Sequence, residues 1–174
     1  PVKPTSAFEN HIIQHSKRTS PEKRKQFIEA LEGILKTSPP KWGRLMTWDE
    51  IRLMHQQGDE IGSHSMTHAL MPQCNDKELE YEIVESKRRL EAELNADIAS
   101  FCYPNGDCDT RSVNAVCKAG YKNSVTTQWG KNQPRQHHFQ LKRCDVNTSN
   151  NRDRKQQLSA SRFAFRLSGL QPGL

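Results

Sequence analysis

Two histidines four positions apart mark the stretch of this sequence best suited to chemistry. His64 and His68 enclose the hydroxyl residues Ser65 and Thr67 in IGSHSMTH, residues 61–68. Imidazole nitrogens bind zinc at about 2.1 Å, so two ligands of one ion must bring their nitrogens within about 4 Å. The pair therefore predicts half of a metal site. Two polar residues on a loop, at a spacing that often arises by chance, are the simpler alternative.

The backbone conformation decides between these interpretations. In an extended strand, residues four apart are separated by about 13 Å, which is too far for one ion. On a helical turn, the same spacing places two side chains one above the other. We therefore expect the chain to leave a strand near Ser63 and to coil before His68. Such a turn would lie at the carboxyl end of a strand, where α/β folds carry their sites.

Strand and helix patterns alternate along the chain. The short bounded run DEIGSH (59–64) predicts a buried strand, and DIASFCYP (97–104) predicts a second one. Further strands are expected near NSVTT (123–127) and FQLKRCDV (139–146). Alternation with short links predicts an α/β fold with a mostly parallel sheet and helices packed on its outside.

Capping and periodicity signals place the helices between these strands. Thr47 with Glu50 three residues later forms a capping box. TSPPKWG (37–43) is a linker, and residues 1–19 and 128–138 are polar without a period. Helices are predicted over residues 20–36, 48–57, 75–94, 109–119 and 153–168.

The longest predicted helix has one apolar side. It opens at Asn75 and carries its predicted buried face on Leu79, Ile83, Leu90 and Leu94. The charged side chains predicted to point outward are Glu82, Lys87 and Glu91.

The charge of the chain is moderately basic. It has 26 Lys and Arg against 20 Asp and Glu, a formal net charge of +6. Basic residues gather at 17–25, 87–89 and 152–155, and the first two groups alternate with Glu in helical patterns. This favours solvated helix faces, with a polyanion-binding patch as the alternative. No motif that reads DNA or RNA is present, so no nucleic-acid partner is expected.

Cysteine usage and hydropathy bear on the compartment. The number of cysteines is odd and they show no C-x-x-C spacing, which predicts free thiols rather than a disulfide framework or a zinc ribbon. They are Cys74, Cys102, Cys108, Cys117 and Cys144. No apolar run reaches membrane-spanning length and no signal peptide is visible, so we expect no membrane span. The location, cytoplasm or cell envelope, stays open.

Several ordered features around the histidine pair resemble the polysaccharide deacetylase family, the NodB-like carbohydrate esterases of family 4. The family's second motif, H-[ST]-x-x-H, is complete as residues 64–68. SFCYPNGD (100–107) is similar to the third motif, which is built around R-x-P-x-G. The flanks EIGSH and ESKRRLEAEL and the segment AGYKNSVTT are also family-like. The resemblance covers roughly residues 45–146.

The resemblance implies a deformed, incomplete (β/α) barrel with mostly parallel strands and outer helices. It implies a divalent metal, usually zinc, with Co, Mn or Ni as alternatives, held by His64, His68 and one Asp. The implied reaction removes an N-acetyl or O-acetyl group from an acetylated polysaccharide or a glycan precursor. Neutral imidazoles leave the metal acidic enough to polarise the acetyl carbonyl and to lower the pKa of its bound water.

The same motifs imply residues that contact the substrate. The hydroxyls within the second motif could equally orient an imidazole or cap the turn. The implied substrate-binding residues are Ser65, Thr67, Tyr103, Pro104, Asn105 and Gly106.

Three departures from the family pattern put activity in doubt. The first motif, T-F-D-D-G, supplies the metal Asp and the general base, and these 174 residues contain no adjacent Asp pair. Cys102 stands where the third motif has Arg. The fifth motif, a Leu-x-His with the general acid, has no match, since His137 and His138 fall in a polar stretch. His11, His15 and His55 lie outside the family-like motifs, which predicts surface or capping roles.

Three hypotheses follow. The first is a single deacetylase domain, residues 1–174, with poorly defined ends at 1–19 and 150–174, truncated before the Asp motif and inactive as it stands. The second is a non-catalytic relative that binds a carbohydrate or a metal. The third is a basic interaction module in which the histidine pair is incidental. Loss of a first strand would also leave an open sheet edge, and we expect self-association there.

Overall fold

The computed structural model of the chain describes residues 6–17, 19–36, 43–148 and 151–168. The linker predicted at 37–43 lies outside the described residues except for its last residue, and so do the outermost parts of both predicted ends. Within the described residues, none of the helices combines the length and apolar character needed to cross a bilayer.

Three short parallel strands carry the candidate site. They are β1 (Ser100–Cys102), β2 (Asn123–Trp129) and β3 (Leu141–Arg143), paired in that order. Beyond β1, Ser63 adds a single parallel bridge to Phe101. The parallel pairing with helices outside the sheet confirms the predicted α/β class.

The helices follow the predicted order. Those predicted over 20–36, 48–57, 75–94 and 109–119 are confirmed to within one residue at each end. They are α1 (Ser6–Lys17), α2 (Pro21–Leu35), α3 (Trp48–Gln56), α4 (Asp76–Glu80), α5 (Ser86–Leu94), α6 (Thr110–Lys118) and α7 (Ala160–Ser168). A π-helical turn, Tyr81–Glu85, joins α4 and α5 into one helix. Single 3₁₀ turns lie at Met71–Gln73 and Pro104–Gly106.

At both ends of the chain the structure differs from what the sequence predicted. Residues 6–17 are helical although the sequence there shows no period. The helix predicted from 153 begins only at Ala160, because Asp153 Oδ1 accepts hydrogen bonds from the amides of Lys155 (2.7 Å) and Gln157 (3.0 Å). Such local side-chain bonds offer the backbone an alternative to the helix.

An aromatic cluster fills the core between the sheet and α4–α6. The Phe101 ring lies 5.3 Å from the rings of both Tyr103 and Tyr121, measured between centroids. Phe101 and Tyr103 are fully buried. Leu79 and Ile83 on the long helix pack against this cluster, which confirms part of its predicted apolar face. The sheet is therefore held from one side by the helix that faces the histidine turn.

The segment DEIGSH is not the buried strand that the sequence predicted. Only Ser63 within it is buried, and only Ser63 forms backbone-to-backbone hydrogen bonds with the sheet among the described residues, accepting from Cys102 N and donating to Ser100 O. Gly62 and His64 are exposed. Among the described residues, the backbone groups of Gly62 and His64 have no hydrogen-bond partner, because no described strand lies beyond them. A one-residue bridge at an open edge is the result.

The turn after β1 packs tightly against β2. Gly106 adopts a left-handed conformation (φ +81°), and a Cβ built there would overlap Thr127. Gly120 has a similar φ of +84°, but a Cβ there would meet nothing within 4 Å. A comparison of substitutions at the two glycines therefore separates the cost of backbone strain from the cost of a steric clash with β2.

We predict that Gly106→Ala lowers the free energy of unfolding by more than Gly120→Ala. Both substitutions strain the backbone, by about 1–3 kcal/mol, and only Gly106→Ala also pushes β2 away, at a further cost of about 1–3 kcal/mol. Urea unfolding of the two variants measures the difference. Equal losses would show that the turn does not press on Thr127.

We also predict that the chain self-associates through the edge at Gly62–His64, since unpaired strand edges template pairing with another chain. Sedimentation velocity at rising concentration should show a growing dimer fraction. A compact monomer at every concentration would contradict this.

Candidate metal centre

A left-handed turn brings the two motif histidines together. Ser65 (φ 69°) and His68 (φ 58°) both have positive φ, and His68 N donates to Ser65 Oγ at 2.9 Å. The two imidazole rings lie 4.8 Å apart between centroids and are nearly perpendicular, at 82°. The chain thus coils after Ser63, as the spacing of the pair requires for a shared ion.

A backbone carbonyl orients the first of the two rings. His64 Nδ1 lies 2.7 Å from the carbonyl oxygen of Cys102, which is the last residue of β1. A carbonyl oxygen only accepts, so Nδ1 must carry the proton and donate. This leaves Nε2 with a free lone pair, the arrangement in which a metal-ligating histidine is held by its other ring nitrogen.

The two imidazoles differ in their electrostatic environment. The pKa of His64 is raised, chiefly by a hydrogen bond with the Cys102 side chain, against the opposing effect of burial. The pKa of His68 is lowered, first by desolvation and then by the nearby His64. The hydrogen bond between Cys102 and His64 also lowers the pKa of the Cys102 thiol. On acidification, His64 is therefore the first of the two to take up a proton.

The hydroxyls between the histidines are engaged with the protein. Ser65 Oγ accepts from His68 N, and Thr67 Oγ1 donates to Glu82 Oε1 at 2.5 Å. These contacts favour the capping role over substrate contact for both side chains. Substrate binding by Ser65 and Thr67 remains a prediction.

The residues of the third-motif turn lie in two different environments. Tyr103 and Pro104 are buried, and the Tyr103 hydroxyl donates to Phe139 O at 3.0 Å, so neither side chain is available to a ligand in this structure. Asn105 is exposed, with Oδ1 accepting from Lys17 Nζ at 2.9 Å. Substrate contact by this turn is therefore open only to Asn105 and Gly106.

His64 and the turn at Gly106 border different grooves. His64 and Ser65 line a groove of about 240 Å³ together with Trp48 and Arg89. Gly106 lines another, of about 410 Å³. The structure joins the two motifs through the bond between His64 Nδ1 and Cys102 O, and these two residues also line one groove of about 300 Å³.

One residue in contact with the histidine turn, Glu82, lies where the sequence did not predict it. It was predicted to point outward with Lys87 and Glu91, yet only 4% of its surface is exposed. The other two are half-buried and form an ion pair of 2.8 Å. Helical spacing could have predicted the burial of Glu82, since it lies three residues after Leu79 and four before Ser86, both buried.

The pair of imidazoles fits a metal only as part of a ligand set. Neutral nitrogens suit zinc, and the anchored ring of His64 has the protonation that ligation needs. Within the described ranges, however, no group of three His, Cys, Asp or Glu side chains could hold an ion. Catalytic zinc sites use three protein ligands. The described residues therefore supply two ligands of a metal centre rather than a complete one.

Solved structures similar to this chain are bacterial deacetylases. The deacetylase PplD from Streptococcus pyogenes, in complex with acetate, shares 21% identity and a TM-score of 0.61 over 75% of this chain and 53% of its own. BC0361, a polysaccharide deacetylase from Bacillus cereus, shares 27% identity and a TM-score of 0.51 over 59% of this chain and 33% of its own. The deacetylase domain of BpsB from Bordetella bronchiseptica shares 22% identity and a TM-score of 0.50 over 57% of this chain and 48% of its own. These matches confirm that the fold fits an incomplete NodB-type barrel.

The chain spans about half of PplD and BpsB and a third of BC0361. A comparison with curated proteins gave no match. The family model for polysaccharide deacetylases matches residues 36–124, about half of the chain, and this segment contains both histidines and the turn after β1. The chain therefore belongs to the polysaccharide deacetylase family.

Proposed function

We propose that this chain carries the histidine half of the metal centre of a deacetylase that removes acetyl groups from a glycan. The observation that carries the proposal is the paired imidazoles of His64 and His68, 4.8 Å apart, with the first ring anchored on Cys102 O. Both residues lie inside the segment matched by the family model. The substrate class, an acetylated polysaccharide or glycan precursor, is proposed from the family.

The metal we propose is zinc, with Co, Mn or Ni as substitutes. When bound, such an ion polarises an acetyl carbonyl and lowers the pKa of a coordinated water. The part of this chain in that arrangement is limited to holding the ion. His64 and His68 would ligate it, and Cys102 O would keep the His64 lone pair directed at it.

The remaining groups that the reaction needs are an anionic ligand and a general base. In the family, both come from an Asp pair, and no adjacent Asp residues occur in these 174 residues. General base catalysis contributes about 10²- to 10⁴-fold. Without the pair, a bound water would be neither firmly held nor deprotonated, so the chain alone should not hydrolyse its substrate.

A non-catalytic role, binding a carbohydrate or a metal, is the second candidate. Two observations favour it: Cys102 replaces the Arg of the third motif, and the described residues offer only two ligands. The deciding feature is a segment with an adjacent Asp pair in the natural protein. Its presence supports the deacetylase, and an unrelated segment in its place supports the binding protein.

The first prediction from this proposal concerns activity. The 174-residue chain should bind Zn²⁺ or Co²⁺ weakly, lose it readily to chelators, and release no acetate from chito-oligosaccharides or acetylated xylan. Adding a segment that carries the Asp pair should restore firm binding and acetate release, and His68→Ala should then abolish both. Metal-dependent acetate release by the chain alone would contradict the proposal and would direct attention to Asp107 or Asp145.

The second prediction concerns pH. Metal ions bind only neutral imidazoles, so the Co²⁺ affinity should fall about tenfold per pH unit once the first histidine protonates. Because the pKa of His64 is raised above that of a free imidazole while the pKa of His68 is lowered, the fall should begin at a higher pH than a free histidine would give and should reflect His64.

Removing the thiol tests this assignment. Cys102→Ala keeps the backbone carbonyl but deletes the hydrogen bond that raises the pKa of His64. The midpoint of the Co²⁺ affinity should then move to lower pH, whereas Cys117→Ala, at an exposed cysteine, should leave it unchanged. An unmoved midpoint in Cys102→Ala would show that the thiol does not control His64.

A further inference from the structure

A buried carboxylate lies directly behind the histidine turn. Glu82, on the π-helical turn, is 4% exposed. Its Oε2 accepts from Met66 N and from Thr67 N, both at 2.9 Å, and its Oε1 accepts from Thr67 Oγ1 at 2.5 Å. All three donors belong to the two residues that separate Ser65 from His68. One side chain thus satisfies every donor at the centre of the turn.

The stability of the fold does not explain this carboxylate. Burying a charge costs more than its hydrogen bonds usually return, and an apolar side chain of similar size is often as good or better. Among the described residues, no Lys or Arg forms an ion pair with Glu82. Its bonds are all directed at the turn, which is the part of the chain that depends on it.

The π-helical turn also reaches the other end of the same segment. Ser63 Oγ donates to Ser86 Oγ at 2.8 Å, and Ser86 Oγ donates to the Glu82 carbonyl at 2.7 Å. Tyr121 Oη donates to the next carbonyl, that of Ile83, at 3.1 Å. π-helical turns occur often at functional sites. Here the long helix holds the histidine segment at two points. Ser86 bonds to Ser63, the residue before His64, and Glu82 bonds to Met66 and Thr67, the residues before His68.

We propose that Glu82 is a positioning residue of the candidate metal site. Its carboxylate holds Met66 and Thr67 so that the flanking residues Ser65 and His68 keep the left-handed conformation, which residues other than glycine otherwise avoid. That conformation sets the His68 ring against the His64 ring. This inference rests on the proposed metal-binding function and adds a residue outside the ligand set, acting through geometry rather than charge.

Two substitutions at this position separate geometry from charge. Glu82→Leu keeps the volume and removes every acceptor. Glu82→Gln removes the charge but retains the bonds, since its amide oxygen can accept from Met66 N and Thr67 N while its NH₂ donates to Thr67 Oγ1. The Co²⁺ affinity of the 174-residue chain, followed by visible absorption, should fall about 10- to 100-fold in Glu82→Leu and stay close to wild type in Glu82→Gln.

A second readout does not involve metal. Hydrogen exchange at the Met66 and Thr67 amides, measured without Co²⁺, should be faster in Glu82→Leu and unchanged in Glu82→Gln. Val116→Ala, which weakens the same core from α6 at a fully buried side chain, serves as the stability control and should leave the Co²⁺ affinity of the folded chain unchanged. If Glu82→Leu does not fold, Thr67→Val removes one of the three bonds and should weaken Co²⁺ binding in the same direction.

The outcomes are distinguishable. Unchanged Co²⁺ affinity and amide exchange in Glu82→Leu would overturn the inference. A loss of Co²⁺ affinity in Glu82→Gln as large as that in Glu82→Leu would also overturn it, because the charge of Glu82 would then be the cause. If wild type binds Co²⁺ no better than His64→Ala, the proposed function fails. Faster Met66 and Thr67 exchange in Glu82→Leu would in that case still support the holding of the turn by Glu82.

Discussion

Two residues in the left-handed backbone conformation, Ser65 and His68, turn the chain where the sheet ends. Without this turn, His64 and His68 would lie too far apart to share an ion. The structure holds the turn from two directions. Cys102 O fixes the ring of His64 from β1, and Glu82 accepts the donors of Met66 and Thr67 from the long helix. The candidate site thus depends on the packing of this helix against the sheet.

The same region is where the sheet stops. Ser63 bonds to β1 on one side, whereas the outward backbone groups of Gly62 and His64 meet no partner in the described part of the chain. The missing third ligand and the open edge therefore lie side by side. We propose that one element, a strand carrying an Asp pair, would satisfy both, since it would pair with the edge and bring a carboxylate to the imidazoles. The two shortfalls of this chain would then have a single physical cause.

The sequence predicted the backbone turn between the two histidines and the bounds of four helices. The four-residue spacing of His64 and His68 was enough to require a coil after Ser63, and the capping box of Thr47 with Glu50 located a helix start correctly. The sequence could not predict which side chains near the site are buried. Glu82 is a charged residue that packs inward because the turn offers it three donors, and Tyr103 belongs to a motif yet lies in the core. DEIGSH has the sequence pattern of a buried strand. That pattern does not reveal that, among the described residues, no strand lies on its outer side.

We propose that His64 and His68 ligate one ion together. X-ray absorption of the Zn²⁺-loaded chain measures this directly, because imidazole rings give a characteristic scattering pattern beyond the first ligand shell. We expect two imidazole nitrogens at about 2.0–2.1 Å, with oxygen ligands completing the shell, and one imidazole after His68→Ala. A zinc shell without imidazole scattering, or one unaffected by His68→Ala, would show that the two histidines do not share an ion.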